Sequence, residues 1–521
     1  MGSFRPAALC LLFFVAVVLS TVVQPQASDP LVVKTESGPV RGVTEKGVIS
    51  WKGIPYAAPP VGKLRWRVPQ PVQPWSHVRD ASQFGPACLQ TDDIPKSEDC
   101  LTLNVWRPAS TTGPLPVMVW IYGGAMVHGN TAMYPGDALA AQGVVVVSMN
   151  YRLGRLGFFA HPALAAESPS DVRGNYGYMD QFAALRWVRR NIEAFGGDPH
   201  QITLFGESAG GGSVLAHLVS PMTRGLIQRA ILQSPGTPGP RAQVIPSTDL
   251  ATAEKMAADW ARSIGVTGEG EAALEQLRAL PVSTLLQGAS AAETVADLSA
   301  GTTPPGMAMS IIDGRFLVER PEAAIAAGRL ARVRVIIGAN DRDLPVGVAK
   351  SKDELFALFA PSTDRAKQLY DPHGDQSLDE LKQQVFADRT MSEPVRHFAK
   401  LVTRSGQPVW LYRFAYVSEA LRGKMMGAQH GMEIPFTLDL PSALVQEKVT
   451  GTDKDMAALV SAYWVHFAKT GDPNGEGRPN WPNYDSRVDR IIHFTNSGVI
   501  IGTDPLKPRL DLWEGVWART Q

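Results

Sequence analysis

The chain has 521 residues, 44% of them hydrophobic and 19% charged, with 50 Lys+Arg set against 50 Asp+Glu. That balance fits a globule with a large core and supplies no basic stripe for nucleic acid to grip. Its 48 glycines and 40 prolines follow no period, which argues against collagen-like, low-complexity and repeat-array classes.

At the N-terminus Arg5 precedes an apolar run from Ala7 to Val23, ending at Gln24-Pro-Gln-Ala-Ser28. This pattern predicts a secretory signal peptide over residues 1–27, cut between Ala27 and Ser28, with an uncleaved anchor as the alternative. No later stretch is apolar for long enough to span a bilayer, so no stable membrane span is expected after cleavage. Of three cysteines, Cys10 would leave with the signal. Cys88 and Cys100 remain, an even pair in an exported protein, which reads as one disulfide. The chain has no Asn-x-Ser/Thr sequon, and a bacterial periplasmic or secreted location is expected.

Short strands are predicted at 31–40 and 43–51, then a Pro/Gly-punctuated loop over 52–67, then an alternating strand at 101–105. Leu115 to Ile121 reads as a central strand that ends in Tyr122-Gly-Gly-Ala-Met-Val-His-Gly129. Residues 143–150 are almost wholly apolar, as a strand covered on both faces should be. An amphipathic helix is predicted from Asp180 to Phe195, stopped by Gly196-Gly-Asp-Pro199. Strands follow at 230–234, 333–338, 409–415 and 490–494, with a helix at 457–469. Two Ala/Glu/Leu/Gln-rich segments, about 249–300 and 353–403, read as helical insertions that cap the sheet. Strands alternating with helices in this order predict an α/β fold with a mostly parallel central sheet, one domain over 28–521.

The rest is arranged around Gln201-Ile-Thr-Leu-Phe-Gly-Glu-Ser-Ala-Gly-Gly211. An apolar strand breaks at Gly206-Glu-Ser-Ala-Gly210 and continues into a helix-compatible run, which is the context of a G-x-S-x-G nucleophile elbow. A serine hydroxyl is a poor nucleophile and must stand clear of the backbone where a histidine can take its proton. Gly123-Gly124 just past the strand upstream leaves backbone N–H groups unobstructed, as an oxyanion hole requires. We therefore assign Gly124 and Ala125, with Ala209 after the nucleophile, as its donors. His128 is read as shaping the rim rather than serving as base.

An elbow serine needs an acid and then a histidine downstream. Five histidines follow the strand at 333–338. His466 and His397 fall in helical runs, His373 in a polar loop and His493 in a strand. Only His430 lies in a glycine-flanked loop past a strand, and it is taken as the base, with Glu433 bracing its loop. For the acid, Asn340-Asp-Arg-Asp343 offers both Asp341 and Asp343, and spacing does not choose between them.

The motifs GIPYAAPPVGKLRWR (53–67), EDCLTLNVW (98–106), WIYGGA (120–125), NYRLGRLGF (150–158), DQFAALRWVRRNIEAFGGDP (180–199), FGESAGG (205–211) and GAQHGMEIPF (427–436) closely resemble the type-B carboxylesterase family, which includes the para-nitrobenzyl esterases and the cholinesterases. The likeness runs from about Val33 to Tyr484. It implies an α/β-hydrolase fold and a triad of Ser208, an acid and His430, with the oxyanion donors named above. The family pattern Gly-x-Asn-x-Asp-Glu-Gly, laid on Gly338, places the acid at Asp343, although Asp stands for the usual Glu and Leu344 for the Gly. The shorter side chain implies a loop shifted inward, with Asp341 as fallback. The likeness also implies a Cys88–Cys100 disulfide and an Arg65–Glu98 ion pair. The eleven residues between those cysteines include no aromatic, so the tryptophan with which cholinesterases face a quaternary ammonium is missing and choline esters are not expected.

The expected activity is that of a serine carboxylic-ester hydrolase with no cofactor and no metal, acting on a small to medium ester. Met126 and Arg342 are candidates to line its pocket. Arg342 would favour a substrate bearing free carboxylates, as in fumonisin-esterase members, though a solvated surface arginine is the commoner reading. A non-catalytic adhesion protein on the same fold and a lipase are the rivals. No oligomeric state is read from the sequence.

Overall fold

The computed structural model describes residues 29–520, apart from 112, 168, 170 and 236–245, together with Met1 and Gly2. The apolar run of the predicted signal peptide lies outside the described residues. One large sheet holds eleven strands: β1 (Val43–Glu45), β2 (Val48–Pro55), β3 (Thr102–Pro108), β4 (Leu115–Ile121), β5 (Val145–Met149), β6 (Gly197–Glu207), β7 (Arg229–Gln233), β8 (Arg334–Asn340), β9 (Val409–Phe414), β10 (Arg490–Thr495) and β11 (Gly498–Thr503). Their order in space is β11-β10-β9-β8-β7-β6-β4-β5-β3-β2-β1. From β10 across to β5 every neighbouring pair is parallel, while the two edges are antiparallel. This is the α/β-hydrolase fold, with helices on both sides of the sheet.

The central strands are β-branched and aromatic because both faces are covered. Val117, Val119, Val145, Val147, Ile202, Phe205, Ile231, Ile336 and Ile337 are all completely buried. The segment 31–40, expected as one strand, is a small hairpin of Val32–Lys34 on Pro39–Arg41. The chain turns between them, where Thr35 and Gly38 exchange backbone hydrogen bonds.

Helix α1 (Tyr176–Asn191) begins four residues earlier than expected and gives way to a 3-10 turn over Ile192–Phe195. Asp180, within its second turn, is fully buried and accepts from Nε, Nη2 and the backbone N–H of Arg152 at 2.7–2.9 Å. That buried pair fixes the loop leaving β5 against α1. Helix α2 (Ala209–Val219) follows β6 directly. The first helical segment contains α3 (Leu250–Ser263), α4 (Glu271–Arg278) and α5 (Ala291–Ser299). The second contains α6 (Leu378–Ala387), a π-helical turn over Asp388–Ser392, and α7 (Glu393–Arg404).

The late helix α8 (Gly451–Thr470) starts before the expected 457 because Thr450 and Asp453 form a capping box. The sequence reading did not include β11 or α9 (Lys507–Thr520). Helix α9 buries Leu510, Trp513, Val516 and Trp517, with the Trp513 and Phe359 rings tilted at 51° with centroids 4.5 Å apart and Trp513 donating to the Tyr370 hydroxyl.

Two arginines join the capping helices to the body. Arg65 is held bidentate by Glu98 at 2.6 and 2.8 Å and donates to the Arg278 and Leu280 carbonyls. Arg155 donates to the carbonyls of Leu285, Gln287 and Pro305. Among the described residues no helix is long and apolar enough to cross a membrane.

Candidate active site

Ser208 stands at the break between β6 and α2 with φ 55° and ψ −125°, a left-handed conformation unusual for a residue with a Cβ. The elbow is made possible by two glycines pressed against β4. A Cβ at Gly206 would lie 2.6 Å from the Ile121 carbonyl oxygen, and one at Gly210 would lie 2.1 Å from the same atom. No larger residue fits either position.

His430 lies in the loop after β9, and Asp343 just past the end of β8. The structure brings both to the serine. His430 Nε2 is 2.7 Å from Ser208 Oγ, and His430 Nδ1 is 2.5 Å from Asp343 Oδ1. The three residues come from loops at the carboxyl ends of parallel strands, where open α/β sheets form their binding crevices.

Asp343 is fully buried. Its Oδ1 also accepts the Leu344 N–H at 2.8 Å, while Oδ2 accepts the Ser234 hydroxyl at 2.6 Å and the Asn340 N–H at 2.9 Å. Burial alone would raise its pKa, but the His430 charge and these donors hold it below the ordinary aspartate value.

Asp341 takes a different part. Its Oδ1 accepts the Ala428 N–H at 2.8 Å, Arg342 N–H donates to the Ala428 carbonyl at 3.1 Å, and Arg342 bridges Gln429. Asn340 Nδ2 adds a bond to the Gln429 carbonyl at 2.6 Å. The acid loop and the histidine loop are thus stitched together directly.

Two further buried carboxylates surround His430. Glu207, inside the elbow motif itself, places Oε1 3.3 Å from His430 Nε2. Glu433 is fully buried and accepts from Asn340 Nδ2 at 2.6 Å and weakly from Gln233 Nε2 at 3.4 Å, so it braces the loop as expected. Burial, with the other carboxylates, pushes the pKa of both glutamates up. For His430, burial opposes charge, but Glu207 and then Asp343 more than offset it, and its pKa is raised. Neither Glu207 nor Ser234 is assigned a role from the sequence. Glu207 carried a signal, an acid inside the elbow, whereas Ser234 showed only as a polar residue at a strand end.

Facing the serine, Gly124, Ala125 and Met126 have φ of 97°, 52° and 62°. A Cβ at Gly123 would sit 2.9 Å from Ser208 Cβ, so this loop abuts the serine. Among the described residues, the N–H groups of Gly124, Ala125 and Ala209 donate to no protein acceptor. Met126 is completely buried. Arg342 leans its stem on Gly427, and its Nε is buried without a hydrogen-bond partner among the described residues. His128 Nδ1 contacts Asp92 rather than the serine. Cys88 and Cys100 are joined. His466 bonds the Asp472 carbonyl and His493 is pushed down to about 4 by burial and Arg413. No group of three or more His, Cys, Asp or Glu among the described residues is placed to hold a metal ion.

A sequence model described as the carboxylesterase family matches residues 29–513. The chain belongs to the carboxylesterase family. Relatives of this family member include the fumonisin B1 esterase of Sphingopyxis macrogoltabida, 36% identical over 93% of this chain and 91% of that one. The para-nitrobenzyl esterase of Bacillus subtilis is 35% identical over 91% of this chain and 96% of its own. A solved PNB esterase structure superposes with a TM-score of 0.78 at 34% identity, covering 93% of this chain and 99% of that one. Its family and these esterase relatives make the chain a carboxylic-ester hydrolase.

Proposed function

We propose that the chain hydrolyses carboxylic esters through an acyl-enzyme formed on Ser208. The observation that carries this is the unbroken contact from Ser208 Oγ through His430 to Asp343. His430 Nε2 takes the serine proton as Oγ attacks the ester carbonyl. Asp343 keeps Nδ1 protonated and favours the imidazolium that results. The backbone N–H groups of Gly124, Ala125 and Ala209 receive the developing oxyanion. His430 then hands its proton to the departing alcohol, and water repeats the sequence to release the acid.

We take the substrate to be a small to medium ester. A free carboxylate on it is supported by the likeness to fumonisin B1 esterase. Paired esters of equal size, with and without a free carboxylate, test this reading by kcat/KM. The same proposal takes residues 28–521 as one hydrolase domain, secreted or periplasmic, released from a signal at 1–27; the Cys88–Cys100 disulfide supports an oxidising compartment.

Turnover of p-nitrophenyl acetate should vanish in Ser208→Ala while its thermal unfolding stays close to wild type. Equal rates for the two proteins would reject the mechanism. Activity appearing only at an oil–water interface would move the assignment to a lipase.

A further inference from the structure

Three successive residues opposite the nucleophile, Gly124, Ala125 and Met126, hold left-handed φ, and two of them carry a Cβ. Backbone of that kind persists only where its surroundings over-determine it. Within the loop, the Gly124 carbonyl accepts the N–H groups of Val127 and His128 at 3.0 Å, which makes a closed turn ending at Gly129. From the body, the Gly154 N–H donates to the Met126 carbonyl at 2.7 Å.

The remaining grips come from the loop between Cys88 and Cys100. Gln90, 1% exposed, accepts the Gly129 N–H through Oε1 and donates from Nε2 to the Gly129 carbonyl, both at 2.9 Å. The same Nε2 donates to the Cys88 carbonyl at 3.0 Å. One residue earlier, His128 Nδ1 meets Asp92 Oδ2, and Lys96 Nζ holds the Asp92 carbonyl from within the same loop. Asn150 ties the base of both loops, donating to the Pro86 carbonyl at 3.0 Å and accepting the Thr131 N–H at 3.1 Å.

We propose that the disulfide-closed loop 88–100 is a clamp on the oxyanion loop, with Gln90 as a positioning residue that fixes the Gly124 and Ala125 donors through Gly129. Asp92 supplies a second grip through His128. The inference rests on the ester-hydrolase reading of Ser208. It gives the disulfide a task beyond stability, since opening that loop would loosen the donors that meet the transition state. A side chain that only fills space would alter unfolding without separating transition-state from ground-state binding.

The test uses Gln90→Leu, which removes all three bonds, and Gln90→Glu, which keeps the acceptor for the Gly129 N–H and loses the donors. Rates are measured per active serine, counted by stoichiometric phosphonylation, so that a poorly folding fraction does not enter. For Gln90→Leu we expect kcat on p-nitrophenyl acetate to fall tenfold to a hundredfold, about the cost of a small misplacement of catalytic groups, with KM within about threefold. Affinity for a trifluoromethyl ketone, which forms an oxyanion on the serine, should fall by the same factor as kcat/KM. Gln90→Glu sets a carboxylate oxygen against the Gly129 and Cys88 carbonyls in a buried site and should lose at least as much. The inference is overturned if kcat per serine and ketone affinity are unchanged while Ser208→Ala is inactive, or if only KM or the unfolding midpoint moves. Should Gln90→Leu yield no folded protein, Gln90→Glu and the more exposed Asp92→Asn carry the same comparison. Activity surviving in Ser208→Ala would reject the hydrolase mechanism itself.

Discussion

Replacing Asp343 by Asn removes one charge and keeps the shape, and the site amplifies that change. Four donors converge on this carboxylate: His430 Nδ1 and the Leu344 N–H on Oδ1, the Ser234 hydroxyl and the Asn340 N–H on Oδ2. A carboxylate has acceptor sites for all four, whereas an amide accepts through its oxygen alone. If the amide oxygen faces Ser234 and Asn340, its NH2 confronts His430 and Leu344, and the imidazole is driven to the tautomer whose Nε2 cannot take the serine proton. If the oxygen faces His430 instead, the Asn340 N–H is left buried and unpaired, at a cost of about 1–3 kcal/mol. In either arrangement the negative charge that favours the imidazolium is gone. A comparable change in another serine hydrolase lowers kcat by about 10⁴. We therefore expect a loss of about 10³ to 10⁴ in kcat, or about 4–5.5 kcal/mol of barrier. Steady-state hydrolysis of p-nitrophenyl acetate measures it, with Asp341→Asn beside it. Asp341 contacts the Ala428 backbone and not the imidazole, so that variant should stay within about tenfold. Full activity in Asp343→Asn with collapse in Asp341→Asn would refute the assignment of the acid.

Glu207→Gln should move the acidic limb of the kcat/KM–pH profile to lower pH. Activity needs a neutral His430, the Glu207 charge favours the protonated form, and its removal lets the imidazole stay neutral in more acid solution; an unmoved limb would place the shared proton on Glu207. Gly124→Ala should cost at least a hundredfold in kcat, because its Cβ would lie 2.2 Å from the His128 carbonyl oxygen at a φ of +97°; wild-type rates would show that the loop can yield. Arg65→Ala leaves Glu98, 15% exposed, without its partner, and should lower stability by about 3 kcal/mol; an unchanged denaturation midpoint would contradict that.

The parts of the candidate site bound by chemistry and sequence order were legible in the sequence. A strand, a tight Gly-flanked turn and a helix mark Ser208, and only one downstream histidine sits in a glycine-flanked loop past a strand. The proposed acid was not legible from spacing, since Asp341 and Asp343 lie two residues apart at one strand end. What separates them is tertiary: which carboxyl turns to the histidine ring and which to the histidine backbone. Gln90 and Ser234 escaped for a similar reason, because each works through a partner 39 and 109 residues away. Helix α9 carries a helical period in Leu510, Trp513 and Trp517, but the surface they cover comes from the second helical segment. The split of 31–40 into a hairpin turns on one short turn, below the reach of periodicity.

The seam at Arg65 and Arg155 has an evolutionary consequence. Both guanidinium groups reach across to main-chain oxygens, at residues 278, 280, 285, 287 and 305. A peptide oxygen looks the same whatever residue bears it, so these five docking points survive exchange of the side chains that carry them. Ester preference can therefore drift on the outer side of the roof, while the underside that packs Trp260, Leu274 and Leu277 against Leu156, Phe159 and Leu164 stays bound to this body.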